Sequence, residues 1–151
     1  MIIKKTITRP ANITAYAAGQ VINANGATTP IAMDYPFATN NPFLLYNHIV
    51  SSNPLGTPAI DVYCFSDTFT IAADGAAFSS TALQMQNYLG KISHTTWAAL
   101  PNSKSSDAKP DAAIALTPVS TSGFFYVVLV SVGIYTPVSG EVFTIKSDIN
   151  F

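Results

Sequence analysis

The chain has 151 residues, of which only 10% are charged, and its formal net charge is −1. This length predicts one domain over residues 1–151, with a single core large enough to fold alone. The seven cations are dispersed, which excludes the strong basic face that nucleic-acid binding requires. The longest apolar run, residues 124–130, reaches about a third of the roughly 20 residues that span a bilayer. We therefore expect neither nucleic acid nor membrane among its partners.

The N-terminus and the cysteine content indicate a protein made inside the cell and held together by packing. Lys4 and Lys5 are not followed by an apolar block or a small-residue cleavage site, so no secretory signal is predicted. Cys64 is the single cysteine, which excludes an internal disulfide and a thiolate zinc site.

Short apolar or alternating segments between turn signals predict an all-β fold. Glu occurs once, and the polar residues are mostly Ser, Thr and Asn, which suit strands and turns better than helices. The spacing predicts an antiparallel β-sandwich or jelly-roll-like fold of about eight strands. The predicted strands are Ile2–Thr8, 20–23, Phe43–Ser51, 59–65, 90–97, 114–118, 124–135 and 141–149.

Two hairpins are predicted from turn chemistry. Asn25-Gly26 suits a type I′ turn, which would join Val21-Ile22 to a strand near 31–33. A five-residue loop containing Pro and Gly follows the apolar segment 124–135, so we expect that segment to pair antiparallel with 141–149. Because 124–135 is apolar on both faces, it should lie in the middle of a sheet.

One short helix is predicted near residues 81–89. Thr81 suits the N-cap, Gln84 is placed to complete a capping box, and Gly90 suits the C-terminal stop. The apolar stripe of this helix should pack on the core; it consists of Ala82, Met85 and Leu89. Residues 101–111 are polar and rich in helix and strand breakers, which predicts a loop.

The inventory of chemically active side chains is thin. Neither His48 nor His94 has a second histidine or a carboxylate at metal-ligand spacing, so both are interpreted as structural or surface residues, and Cys64 as a buried thiol. Most of the aspartates lie in turn-like contexts. The sequence contains no phosphate-binding glycine loop, nucleophile elbow or EF-hand loop. We predict no enzyme, no catalytic residue, no cofactor and no metal.

Aromatic residues are abundant, with nine Phe, seven Tyr and one Trp. Most should pack in the core, but exposed rings on a sheet face would also suit sugar stacking or protein contact. The low charge favours protein contact, because a surface of Ser, Thr, Asn and apolar groups suits lasting contact with other subunits. We therefore expect an assembly component.

Three segments, in this order, resemble a family of small structural proteins of tailed phages. Residues 8–22, TRPANITAYAAGQVI, are similar to the family opening TRPA(N/D)xTAYAAGDVI. Residues 74–78, DGAAF, lead into 85–92, MQNYLGKI, which resembles its acidic turn, short helix and GxI strand. Residues 126–130, YVVLV, and 135–145, YTPVSGEVFTI, resemble its closing hairpin.

The resemblance implies a non-enzymatic virion protein, made in the host cytoplasm and placed on the capsid surface. Its expected role is that of a capsid decoration or cement protein that bridges subunits of the phage major capsid protein and forms a homo-oligomer, a dimer or trimer. Gln20 departs from the family pattern, which usually has Asp there. Any turn or subunit contact of that Asp must then be made by an amide without charge.

The first and third segments also contain candidate protein-interface residues. Pro10 should hold Thr8 and Arg9 extended, which predicts that residues 1–9 form a strand or arm on a sheet edge of this chain or of a neighbour. Arg9 suits a paired contact with a partner carboxylate or ordinary exposure. Tyr16 and Tyr135 suit interface anchors or closure of the sandwich ends through their hydroxyls.

Two alternatives stay open. A tail, baseplate or head-fibre component would have the same composition and a lower copy number in the virion. A carbohydrate-binding β-sandwich module would present exposed, coplanar tyrosines or Trp97 on one sheet face, and burial of Trp97 would weaken it.

Overall fold

Two antiparallel β-sheets face each other in the computed structural model, which describes residues 1–34, 43–110, 114–116 and 123–150. The predicted all-β sandwich is confirmed. Within these residues the strands are β1 Ile2–Thr8, β2 Val21–Ile22, β3 Ile31–Asp34, β4 Phe43–Ser51, β5 Ile60–Phe65, β6 Tyr88–His94, β7 Ala98–Leu100, β8 Ser103–Ala108, β9 Ile114–Ala115, β10 Phe124–Ser131 and β11 Val142–Asn150. The helix α1 is Ala82–Met85.

The two sheets have different strand orders. The larger sheet runs β1-β11-β4-β8-β7, and β9 also pairs with β4. The smaller sheet runs β2-β10-β5-β6, and β3 pairs with β10 as well. β1, the predicted arm, therefore adds to the edge of its own chain's sheet, with Ile2 opposite Asp148 and Thr8 opposite Val142.

The main core lies between the sheets. Along β11, Phe143 and Ile145 are fully buried, whereas Thr144 and Lys146, which alternate with them, are not. This is the period-2 alternation of a strand. Phe125, Val127 and Leu129 of β10 enter the same core from the opposite sheet.

A second, smaller core covers the outer face of β10. Val128 and Val130 pack there against Phe65 and Ile71, under the segment that follows β5. This second layer explains why β10 is apolar on both faces, and its predicted central position in a sheet is confirmed.

The predicted pairing of segments 124–135 and 141–149 is wrong. β10 pairs with β2, β3 and β5, whereas β11 pairs with β1 and β4 in the other sheet. The connection 132–141 thus crosses from one sheet to the other. Its Pro and Gly residues reverse the chain, but they do not determine which strand the next segment joins.

The predicted Asn25-Gly26 hairpin is also wrong. Gly26 has a positive φ of 72°, but Asn25 does not, so the type I′ geometry is absent. Instead, Ala27 N donates to Ala24 O at 3.1 Å in an ordinary turn. β2 and β3 both pair with β10, so they are two parts of one interrupted strand and not a hairpin.

Helix α1 begins as predicted but ends early. Thr81 is the N-cap, and its capping box with Gln84 is present. The helix stops at Met85, which is 40% exposed, so the predicted apolar stripe is not core. Leu89 does pack on the main core, but from β6. Gly90 lies in β6, where a Cβ would come within 2.9 Å of Ile114 side-chain atoms.

The predicted loop at 101–111 is wrong over most of its length, because β8 lies within it. β8 pairs with β4 and β7, and it buries Ser105 and Ser106. Backbone hydrogen bonds hold such a strand in its sheet without apolar side chains. The hydrophobic pattern of the sequence therefore does not predict it. The predicted strand 114–118 is represented by β9; Asp111 and residues 117–118 lie outside the described residues.

Among the described residues there is no helix of the length and hydrophobicity that crossing a membrane requires.

Candidate functional site

The side chain of Arg9 turns into the protein directly after β1. Arg9 is only 3% exposed. Its Nε donates to the Tyr16 hydroxyl, and its Nη2 lies 3.3 Å from Asp74 Oδ2 in a buried ion pair. The guanidinium carbon also lies 4.6 Å from the centroid of the Tyr16 ring. Arg9 is the only arginine in the chain, so its complete burial is an unusual use of the charge.

Asp74 accepts hydrogen bonds from several groups at once. The Tyr16 hydroxyl donates to Asp74 Oδ1 at 2.5 Å, and Asn23 N donates to the same oxygen at 2.9 Å. Gly75 follows with a positive φ of 78°, which lets the chain turn sharply there. The predicted turn role of Asp74 is therefore only part of its function in the fold.

A second polar cluster surrounds Tyr135 and Glu141. The Tyr135 hydroxyl donates to the Glu141 carboxylate at 2.6 Å and accepts from Asn53 Nδ2 at 2.9 Å. Glu141 also accepts from Ser51 Oγ, and from Val138 N at 3.2 Å. Glu141 is the only glutamate in the chain and is fully buried. Several donors thus replace the water that its carboxylate loses on folding.

The two clusters form one unit, here called the tyrosine network. Tyr16 and Tyr135 are joined by an isolated β-bridge, with N–O distances of 2.8 and 3.2 Å, and their rings stack at 6.4 Å between centroids. Arg9 N donates to Glu141 O at 3.0 Å, which ties the end of β1 to the start of β11. The network consists of Arg9, Tyr16, Ser51, Asn53, Asp74, Tyr135 and Glu141.

Burial fixes the protonation state of the two tyrosines. Burial raises the pKa of Tyr16, and the adjacent Asp74 raises it further. Burial likewise raises the pKa of Tyr135, with Glu141 adding to the effect. Both hydroxyls therefore remain protonated at neutral pH and can act as donors to the carboxylates.

The structure brings together the three predicted interface residues, Arg9, Tyr16 and Tyr135. Their side chains are taken up by contacts within the chain and are 3%, 2% and 6% exposed. This geometry matches closure of the sandwich end through the tyrosine hydroxyls. Their role at an interface stays a prediction.

Sequence reasoning did not identify the acidic partners of these residues. Its turn-like context predicts only a turn role for Asp74, and Glu141 is predicted only as the first residue of the strand 141–149. The signal that was available is composition: a single arginine and a single glutamate, each next to a turn and near a tyrosine. Gln20 makes a turn contact without charge, because its Oε1 accepts from Ala17 N at 2.7 Å.

The histidines and the cysteine lie elsewhere. His94 is fully buried between the sheets, where its ring nitrogens lie 3.0 Å from Ser106 Oγ and 3.0 Å from Asn47 Oδ1. Burial, with a smaller contribution from His48, lowers the pKa of His94 to about 4. Cys64 is fully buried, and burial raises the pKa of its thiol to about 12. The interpretation of His94 and Cys64 as structural residues fits these environments.

The described residues contain no group of three or more His, Cys, Asp or Glu side chains that would hold a metal ion. His48 contacts Asp107 on the outer face of the larger sheet, and Lys91 contacts Asp61 at 2.8 Å near the edge of the smaller sheet. Asp61 also accepts from Ser93 Oγ at 2.6 Å.

A cavity of about 270 Å³ opens beside the tyrosine network. It is here called the Arg9 cavity, and its lining residues are Arg9, Asn12, Thr14, Ala15, Tyr16, Gln20, Asp74 and Gly75. Arg9 Nη1 is buried, and of the buried side-chain polar atoms in the described part of the chain it alone has no hydrogen-bond partner.

The loops that the tyrosine network holds expose large aliphatic side chains, here called the loop-end patch. Ile134 precedes Tyr135 and is 87% exposed, and Leu55, 88% exposed, follows Asn53, whose Oδ1 accepts from Leu55 N. Val132 N donates to Ala59 O, which joins the two loops. The patch consists of Ile13, Leu55, Val132, Ile134 and Val138, all between 41% and 88% exposed.

Comparison with known proteins gives little. A scan against protein-family models finds no match, and no curated protein matches. Among solved structures, one similar chain comes from the structure of infectious bursal disease virus Gx strain, at 12% identity and a TM-score of 0.18. The alignment covers 98% of this chain, which spans about two fifths (39%) of the length of that one. A TM-score this low carries no argument about fold or function.

Proposed function

We propose that this protein is a non-enzymatic virion structural protein of a tailed phage, and specifically a capsid decoration or cement protein. The observation that carries the proposal is the loop-end patch, because large aliphatic side chains that neighbouring loops expose suit contact with another protein. Its partner would be the phage major capsid protein, and it would bind as a homo-oligomer, a dimer or trimer.

The distribution of charge supports a surface made to be covered. The chain has only 15 charged side chains, since seven are cationic and eight anionic. Arg9, Asp74 and Glu141 are buried in the tyrosine network, so the exterior carries even fewer. A free monomer normally depends on surface charge for solubility, whereas contact with other subunits removes that need.

Stabilisation of a shell follows from mass action. A protein that binds the assembled capsid and not its free subunits lowers the free energy of the assembled state, and many weakly bound copies add together. This mechanism requires only a complementary surface and no cofactor.

The experiment is co-sedimentation of the purified protein with capsids of the phage that carries its gene. We expect Leu55→Ser/Ile134→Ser to reduce capsid occupancy at least tenfold, since two exposed anchors are lost. The matched control is Ile2→Ser. Ile2 is 68% exposed but lies at the opposite end of β1 from Arg9, roughly 23 Å away at about 3.3 Å per residue. Full occupancy by the double variant would contradict the proposal.

The copy number in purified virions separates the placements. Hundreds of copies per particle would agree with a capsid surface protein, whereas a small, ring-limited number would favour the tail, baseplate or head-fibre alternative. Deletion of residues 1–9 cannot serve as the test. That deletion removes β1 from its own sheet and Arg9 from the tyrosine network, so the fold itself would be affected.

One feature favours the carbohydrate-binding alternative. Tyr46 is 53% exposed and lines a shallow hollow of about 220 Å³ with Ile2, His48, Lys146 and Asp148. Trp97 weakens the alternative, since it is half-buried against the core and its Nε1 donates to Pro58 O. A glycan-array screen with a Tyr46→Ala control tests it; binding that depends on Tyr46 would support a glycan-binding role.

A further inference from the structure

We propose that the Arg9 cavity is a binding pocket for a carboxylate group. The inference does not rest on the capsid role, because it concerns the chemistry of one cavity and not the placement of the protein. Its starting point is Arg9 Nη1, the buried donor that lacks a partner among the described residues. A buried donor left unpaired is costly, and an acceptor bound in the adjacent cavity would relieve that cost.

The cavity presents further donors whose acceptor atoms are already occupied. Asn12 Oδ1 accepts from Thr14 N at 3.1 Å, and Gln20 Oε1 accepts from Ala17 N at 2.7 Å. Each side-chain amide is therefore oriented by its own backbone, and its NH₂ group has no partner among the described residues. The Thr14 hydroxyl lines the same cavity.

These donors select the ligand class. Asp74, the one anionic group in the lining, already accepts from Arg9, from the Tyr16 hydroxyl and from Asn23 N. It has little capacity left for a cation or for another donor. A carboxylate accepts hydrogen bonds only, so it matches a lining in which amide, hydroxyl and guanidinium N–H groups remain free.

The carboxylate has two possible sources: a small organic acid, or an acidic side chain of a protein. Titration of the ¹⁵N-labelled protein with sodium acetate, followed by amide chemical shifts, tests the shared chemistry. Sodium chloride at equal ionic strength and acetamide are the controls. We expect the amides of Ala15 and Gly75 to shift only with acetate, with a Kd in the millimolar range because acetate has few atoms.

Two peptides then distinguish the sources. A terminally blocked Gly-Glu-Gly peptide should bind at least as well as acetate if the pocket takes a protein side chain, whereas the Gly-Gln-Gly peptide should not bind. If acetate binds and the Glu peptide does not, the pocket takes small acids. Both results support a carboxylate site.

The decisive variants are Gln20→Glu and Asn12→Asp. Each keeps the oxygen that accepts from the backbone and replaces the donor NH₂ with a negative charge. We expect the acetate Kd to rise at least tenfold in both. Gln84→Glu is the matched control, because it adds the same charge at an exposed cap and keeps the capping box, so its Kd should not change.

The proposal is wrong if acetate shifts the pocket amides no more than chloride does. It is equally wrong if acetate binding is unaffected by both Gln20→Glu and Asn12→Asp, or if a crystal structure grown in acetate shows only water on Arg9 Nη1. Loss of acetate binding alone would leave the capsid proposal standing, and failure of capsid co-sedimentation would leave this one standing.

Discussion

The tyrosine network predicts that a single hydroxyl contributes strongly to stability. Tyr16→Phe keeps the ring, its stacking on Tyr135 and its packing, and removes only the oxygen. That oxygen donates to Asp74 at 2.5 Å and accepts from Arg9 Nε. Both partners are charged, and their side chains are only 1% and 6% exposed, so each loses a hydrogen bond to a buried charge.

The magnitude follows from the two lost hydrogen bonds. A hydrogen bond to a buried charged group contributes about 1.5–3 kcal/mol. Losing both hydrogen bonds should therefore lower the free energy of unfolding by at least about 3 kcal/mol. For a domain of this size, about 1 kcal/mol corresponds to roughly 2–4 °C in Tm. We therefore expect Tm to fall by about 6–12 °C in Tyr16→Phe.

The assay is urea unfolding followed by Trp97 fluorescence, together with a thermal scan, at equal protein concentrations because oligomers gain stability with concentration. Tyr46→Phe is the control, since Tyr46 is 53% exposed and its change should stay within about 0.5 kcal/mol. If Tyr16→Phe were as stable as Tyr46→Phe, the network would not hold this end of the sandwich.

The remaining predictions concern Gly56, His94 and Cys64. Gly56→Ala should cost about 1–3 kcal/mol, because the new Cβ would lie 2.5 Å from Asn53 Nδ2 and 2.6 Å from Tyr135 Oη; urea unfolding measures it. The pKa of His94 falls from 6.5 to about 4 on burial, so the unfolded chain binds more protons between these values. The free energy of unfolding should therefore be highest above pH 6.5 and about 2 kcal/mol lower at pH 5. Urea unfolding at several pH values measures this decrease, and His94→Gln should abolish it. Cys64 should react with a thiol reagent only after unfolding, since burial raises the pKa of its thiol to about 12; a native protein that reacts at the unfolded rate would contradict this.

Strand positions were accessible from the sequence, and strand partners were not. β1 and β4 match their predicted bounds, because alternation or β-branched residues between turn signals are local properties. The pairing of β10 and β11 with strands far away in sequence is not local. It depends on the connection 132–141 crossing between the sheets. The strand β8 was not predicted for another reason, because its polar side chains form no hydrophobic pattern.

The candidate site shows the same division. Arg9, Tyr16 and Tyr135 could be selected from the sequence, since Arg9 and Tyr16 lie in the first, and Tyr135 in the third, of the segments that resemble a phage family. Their joint burial could not, because Asp74 reaches Tyr16 across 58 residues and Ser51 reaches Glu141 across 90. A charged residue beside a turn has the same local pattern whether its side chain faces water or a buried partner.

The tyrosine network connects stability to the surface proposed for capsid contact. Ile134 and Val138 of the loop-end patch flank Tyr135, and Leu55 lies beside Gly56, which packs against the Tyr135 hydroxyl. Loosening the network should therefore disorder the patch, so a network variant should lose both stability and capsid binding. A patch variant should lose binding alone, because its side chains contribute little to the core. A network variant that loses stability yet binds capsids normally would show that contact is made elsewhere on the sandwich.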